Sequence, residues 1–136
     1  MRVCVHSIVC PREVEIVGDV DELLVGVCRP DADPRDWHGR REDTTAWLMD
    51  ATDGGLWGNG KEDDDLAGHF DPGDRMGFLL DLDDGSLLFF KSGAKHGPGY
   101  PAGSVTGPVA TAVGMYYSDG GHYEGHVVRL LPDAEW

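Results

Sequence analysis

Apolar residues in this chain occur in short runs separated by turn residues, most clearly between residues 73 and 91. Runs at 76–82 and 87–90 flank Asp83-Asp84-Gly85, and an Asp-Gly pair between apolar runs is typical of a β-hairpin, because glycine readily takes the positive φ that the turn needs. In a strand Met76, Phe78, Leu80 and Leu82 would share one face, and Leu79 would lie on the other. The pattern predicts a central hairpin that is covered on both faces.

Further short runs indicate strands along the rest of the chain. Before the hairpin they cover residues 1–9, 13–17, 23–28 and 46–50, with a turn-rich hairpin at 54–61, and after it they cover 109–117 and 124–131. Because proline cannot donate to a strand ladder, Pro11 should end the first strand at an edge. No segment has helical periodicity. About eight short strands between turns predict an all-β fold, an antiparallel two-layer β-sandwich.

Composition supports a single domain made of strands and turns. The chain has 136 residues, and we treat 1–136 as one domain with a core over 13–131. The 20 glycines and 8 prolines favour turns over long helices. No apolar run is long enough to cross a bilayer, and the N-terminus lacks the layout of a signal peptide. Three cysteines without a metal-pair or disulfide spacing favour a reducing, cytoplasmic location.

Charge narrows the classes of partner. There are 25 Asp and Glu residues against 11 Lys and Arg residues, which gives a formal net charge of −14. This field disfavours nucleic acid and anionic membranes, and favours a protein or peptide partner that carries basic residues. Solubility alone is also a sufficient reason for the acidity. We expect a monomer without a cofactor.

Four blocks of sequence carry a resemblance to a known family. VEIVGDVDELLVGVCRPDAD, WLMDATDGGLWGNGK, FDPGDRMGFLLDLDDGSLLFFKSGAKHG and GPVATAVGMYYSDG resemble, in order and spacing, the successive blocks of a SPRY domain over residues 13–131. The resemblance implies a bent, concanavalin-like β-sandwich that acts as a non-catalytic protein-interaction module. It also implies that loops at one side of the sandwich form the ligand surface.

The resemblance and the loop composition together suggest binding residues. By position in the family, the aromatics of a peptide site fall on Trp57, next to Asn59, and on Tyr116 or Tyr117. Successive strand residues point to opposite faces, so only one of the two tyrosines can be fully buried. The charged, proline-rich stretch 29–45 reads as a surface loop, in which Trp37 and Asp43 are further candidates. We assign Trp47, within a strand, to the core.

Two other functions remain open at this stage. His122, Glu124 and His126 have the alternating spacing that would place two imidazoles and a carboxylate on one face of a strand, a set of ligands suited to zinc or another divalent ion. An exposed polar strand face explains the same pattern. This alternative is a metal-binding β-sandwich, with or without enzymatic activity. A second alternative, lectin-like sugar binding, has only the general architecture behind it.

Three shorter patterns do not indicate a catalytic or ligand-binding site. GLWGNGK at 55–61 has the glycine and lysine spacing of a phosphate-binding loop but lacks the following Ser or Thr and the strand-to-helix context. Ser92 and Lys95 form an S-x-x-K pattern after a strand, which predicts a hairpin turn. The aspartates at 63–65 and at 81, 83 and 84 do not have calcium-loop spacing, so we interpret them as turn and surface residues.

Overall fold

Eleven strands account for the regular structure in a computed structural model, which describes residues 3–4, 9–18, 23–32, 45–58, 61–62, 67–115 and 128–131. They are β1 (Val3–Cys4), β2 (Val9–Ile16), β3 (Leu23–Cys28), β4 (Ala46–Asp50), β5 (Leu56–Gly58), β6 (Lys61–Glu62), β7 (Arg75–Asp81), β8 (Ser86–Lys91), β9 (Ala94–Lys95), β10 (Val109–Met115) and β11 (Val128–Leu130). Within these ranges no helix could span a membrane.

The strands form two antiparallel sheets. One has six strands in the order β1-β10-β3-β4-β5-β6, and the other has five in the order β11-β2-β7-β8-β9. The sheets share one apolar core, to which strands of both contribute. The predicted all-β fold, an antiparallel two-layer β-sandwich, is confirmed.

Alternation along the strands builds the core between the sheets. From β3 come Leu23, Val25 and Val27, and from β7 come Met76, Phe78 and Leu80, all of them buried. Each such side chain contributes about 1.5–3 kcal/mol by leaving water. The tightest strand contact is at Gly26, where an added Cβ would collide with the carbonyl oxygen of Trp47. Glycine at this position therefore allows β3 and β4 to pack closely.

The predicted hairpin is β7 and β8, with β7 in the middle of its sheet. Its register pairs Asp81 with Ser86, so the loop has the four residues 82–85. Gly85 takes the expected positive φ of 78°. The side chains of Asp81 and Asp84 accept the N–H groups of Asp83 and Ser86, each at 2.9 Å, which fits their predicted role in the turn. The outer face is less covered than predicted, since Leu79 and Leu88 are only half-buried.

Pro11 does not end a strand, contrary to the sequence prediction. It lies within β2, opposite Leu79 of β7. The carbonyl of Glu13 accepts the N–H of Leu131, so the backbone groups of Pro11, two residues earlier, point to the same side. β11 pairs only with residues 14–16 of β2, so no described strand needs a donor at Pro11. The same prediction placed the first strand at an edge of a sheet. This part holds for β1, which is an edge strand of the six-stranded sheet.

The segment 67–74 ties the two sheets together. The N–H of Gly68 donates to Asp53 at 2.9 Å, and that of Phe70 donates to Ala51 at 2.8 Å, both beside the six-stranded sheet. Gly73 then donates to Ile16 at 2.7 Å in the five-stranded sheet. The Phe70 side chain is fully buried between these bonds. The segment therefore crosses the sandwich with its backbone paired at both ends.

The outer edge of β8 is closed by its own downstream chain. Ser92 and Gly93, with φ values of 47° and 89°, form the two-residue turn into β9, as predicted for this S-x-x-K pattern. His96 donates its N–H to Phe89, Leu87 exchanges backbone bonds with Tyr100, and Val105 donates to Gly85. The irregular segment 96–105 thereby covers this edge.

Two glycines with positive φ allow a controlled test of the hairpin. A Cβ on Gly85 would lie 2.8 Å from the carbonyl oxygen of Val105, whereas one on Gly73 would meet nothing within 4 Å. Gly73→Ala should cost about 1–2 kcal/mol for the backbone angle alone. Gly85→Ala should cost about 1–3 kcal/mol more because it also overpacks. Urea unfolding of both variants measures the difference, and equal losses would contradict the steric account.

Candidate functional site

One predicted binding residue, Trp57, lies in the described part of the chain. Asn59, Tyr116, Tyr117, Trp37 and Asp43 lie outside it, and so do the alternative metal ligands His122, Glu124 and His126. Within the described residues, the candidate site consists of Trp57 and the strands around it.

Trp57 lies on a short strand near the edge of the six-stranded sheet. It pairs with Leu48 of β4 on one side and with Glu62 of β6 on the other. Its neighbour Leu56 is buried in the core between the sheets, so the alternation of the strand turns Trp57 to the outer face. The register continues the row from Trp57 through Leu48 and Gly26 to Ala112 of β10.

The outer face of this sheet carries a second apolar cluster. Its buried members are Leu24, Cys28, Ala46, Leu48 and Ala112, and Ala32 and Trp57 pack against them as partly buried residues. Leu48 is 2% exposed, whereas Trp57 is half-buried. The indole thus has part of its surface against an apolar floor and part open to solvent. This is the arrangement of an aromatic side chain that can bury more area when a partner arrives.

The backbone at Trp57 is held from across the core by Tyr100. The Tyr100 hydroxyl lies 2.6 Å from the carbonyl oxygen of Trp57 and 3.2 Å from that of Leu48. Tyr100 itself is fully buried, and its backbone pairs with Leu87 of β8 in the opposite sheet. Sequence reasoning missed this residue. The available signal was that Tyr100 is the one aromatic in the irregular segment 92–108.

Trp47 is a core residue, as predicted, and it is 2% exposed. The guanidinium of Arg29 lies 5.0 Å from the centre of its ring, a cation–π distance. Arg29 also donates to the carbonyl and hydroxyl oxygens of Thr106 and to the carbonyl of Pro108. It therefore fastens the segment before β10 to the end of β3. Sequence reasoning did not single out Arg29, because its acceptors lie 77 and 79 residues away.

The described acidic and histidine residues do not assemble into a metal centre. Within the described ranges, no group of three or more His, Cys, Asp or Glu side chains could hold an ion. The His96 side chain is already engaged in other contacts. Its Nε2 lies 2.8 Å from the carbonyl oxygen of Gly68, and its ring packs edge-on against Phe70. His69 contacts Asp71 at 3.4 Å, an exposed pair. These side chains support the loops around Phe70.

Comparisons with known proteins agree with this architecture. The family model described as SPRY domain matches residues 13–124. Among solved structures, the crystal structure of the SPRY domain of human HERC1 superposes with a TM-score of 0.78 at 21% identity, covering 100% of this chain and 80% of that one. This second similarity is one of fold. No curated protein matches the sequence.

The different burial of the two tryptophans predicts different costs on truncation. Trp47→Ala should lower the free energy of unfolding by about 3–5 kcal/mol, since it leaves a cavity in the core. Trp57→Ala should cost less, about 1–2 kcal/mol, because part of the indole is already exposed to solvent. Urea titrations followed by circular dichroism measure both. Equal losses would show that Trp57 belongs to the core.

Proposed function

Because the chain belongs to the SPRY domain family, we propose that it binds a peptide or a protein surface through the loop face of its sandwich, with Trp57 as an anchor. Domains of this family are generally non-catalytic modules for protein interaction. The observation that carries the proposal is the half-buried indole of Trp57 on the apolar outer face. Asn59, Tyr116, Tyr117, Trp37 and Asp43 complete the proposed surface.

The physical case for Trp57 rests on its size and its support. Tryptophan offers a large contact area with two rotatable bonds, so ordering it against a partner costs little entropy. Its strand is hydrogen-bonded on both sides, and the floor beneath it is packed with Leu48 and Ala46. A preorganised aromatic of this kind is typical of the residues that dominate binding energy.

Charge suggests the chemistry of the partner. The formal net charge is −14, and acidic residues are dense in the sequence close to the proposed binding residues, at Asp36, Glu42, Asp43 and 62–65. Such a field attracts basic segments and speeds their encounter. We propose a partner with Lys or Arg residues beside an apolar residue that covers the indole. The proposed partner is neither nucleic acid nor membrane.

We propose that the domain acts as a monomer in the cytoplasm. The three cysteines of the sequence have no disulfide-framework spacing, which is compatible with a reducing compartment. Cys28 is buried. Its environment, beside Ala46 and Ala112, is that of a small apolar core residue.

Selection of peptides from a displayed random library tests the proposal. We expect peptides rich in Lys and Arg with one large apolar residue. Their affinity should fall about tenfold or more in Trp57→Ala, since an aromatic anchor contributes at least about 1–2 kcal/mol. Raising the salt from 0.05 to 0.5 M should also lower the affinity of the peptides for the wild-type protein, because screening reduces the attraction of exposed charges. Isothermal titration calorimetry measures both effects.

Val17 provides the control. It is 44% exposed at the end of β2, in the sheet opposite that of Trp57. Val17→Ala should bind the peptides with the same affinity as the wild type. This equality should hold at both salt concentrations. Peptides that bind the Trp57→Ala and wild-type proteins equally would refute Trp57 as the anchor.

A further inference from the structure

We infer that Tyr100 is a positioning residue for Trp57: its hydroxyl group fixes β5 from the opposite sheet and presets the place of the indole. The inference deepens the proposed function, and only the significance of the positioned indole rests on that function. The geometric basis is one residue that is hydrogen-bonded to both sheets. Its backbone pairs with Leu87, and its side chain reaches Trp57.

Tyr100 is itself firmly placed on the side of the five-stranded sheet. Its N–H donates to Leu87 at 2.8 Å, and its carbonyl accepts the N–H of Leu87 at 3.0 Å. The preceding residue, Gly99, has a φ of 66° and lies so close to β8 that a Cβ there would collide with the carbonyl oxygen of Leu87. The ring also lies 6.4 Å from that of Phe89. The backbone and ring of Tyr100 are therefore held in place, and the position of its hydroxyl group is defined.

The receiving strand is short. β5 has three residues and β6, outside it, has two. Its register to β4 consists of two pairs, Leu48 with Trp57 and Met49 with Leu56. A ladder this short opens easily at a sheet edge. The hydrogen bond from Tyr100 to the carbonyl of Trp57 adds a constraint at the residue that carries the proposed anchor.

The hydroxyl group is not needed to fill space. Phenylalanine would occupy nearly the same volume in the core, while a buried hydroxyl is costly unless it is hydrogen-bonded. The Tyr100 hydroxyl group makes this bond to the carbonyl oxygen of Trp57, 43 residues away in sequence, at 2.6 Å. The carbonyl oxygen of Leu48 is a second acceptor at 3.2 Å. A tyrosine here therefore contributes a directional contact to β5, which packing alone would not provide.

Hydrogen exchange in Tyr100→Phe separates positioning from general stability. We expect the amides of residues 56–58 to exchange about tenfold faster relative to the amides of β7, since the hydrogen bond from Tyr100 to β5 is lost. Global destabilisation would instead accelerate the β7 amides, which exchange through global unfolding, at least as much as those of β5. In protein labelled with 5-fluorotryptophan, the Trp57 resonance, assigned by its absence in Trp57→Phe, should shift.

Val14→Ala is the matched control, because Val14 is a buried core residue on β2 in the other sheet. It should accelerate exchange in β7 at least as much as in β5, and therefore should not raise the ratio of β5 to β7 exchange rates. An unchanged ratio and an unshifted Trp57 resonance in Tyr100→Phe would overturn the inference. Should that variant fail to fold, the wild type decides: a slowly exchanging Tyr100 hydroxyl proton close to the Trp57 backbone supports the inference, and its absence overturns it.

Peptide binding tests the functional consequence separately. With peptides selected on the wild-type protein and rejected by Trp57→Ala, affinity in Tyr100→Phe should fall about threefold or more, since a less ordered anchor pays more entropy on binding. Unchanged affinity would overturn the functional part of the inference. If no peptide distinguishes the wild type from Trp57→Ala, the proposed function fails, while the exchange ratio still decides whether Tyr100 positions the strand.

Discussion

The burial of alternating side chains between two sheets is the interaction on which the rest of this structure depends. The longer strands contribute alternate residues to the shared core, so the described loops that join them are held at positions set by those strands. Because Tyr100 is packed within that core, its hydroxyl group meets the carbonyl oxygen of Trp57 from a defined position. A well-packed interior transmits position because it resists compression.

Sequence reasoning succeeded where the physical cause was local. The alternation in residues 76–82 and the Asp-Gly turn identified the β7–β8 hairpin, because side-chain direction and backbone angle are decided within a few residues. The core position of Trp47 followed from its strand in the same way. The family resemblance rested on these same blocks, and the match over residues 13–124 agrees with it.

It failed where a neighbour distant in sequence decides the outcome. Proline was taken as a strand terminator at Pro11, yet its effect depends on which side its nitrogen faces and on where β11 stops pairing. The acceptors of Arg29 and Tyr100 are likewise set by the assembled sandwich. For the site, position in the family pointed to Trp57, but its apolar floor became visible only from the register of β10, β3, β4 and β5.

The covered edge of β8 has a consequence for how recognition can occur. An open sheet edge invites another chain to add as an extra strand, which gives affinity through the backbone with little regard for side chains. Here the carbonyls of Gly85, Leu87 and Phe89 already accept hydrogen bonds from residues 96–105 of the same chain. Strand addition, and with it edge-to-edge aggregation, is blocked along this stretch. A partner arriving there must be recognised by its side chains.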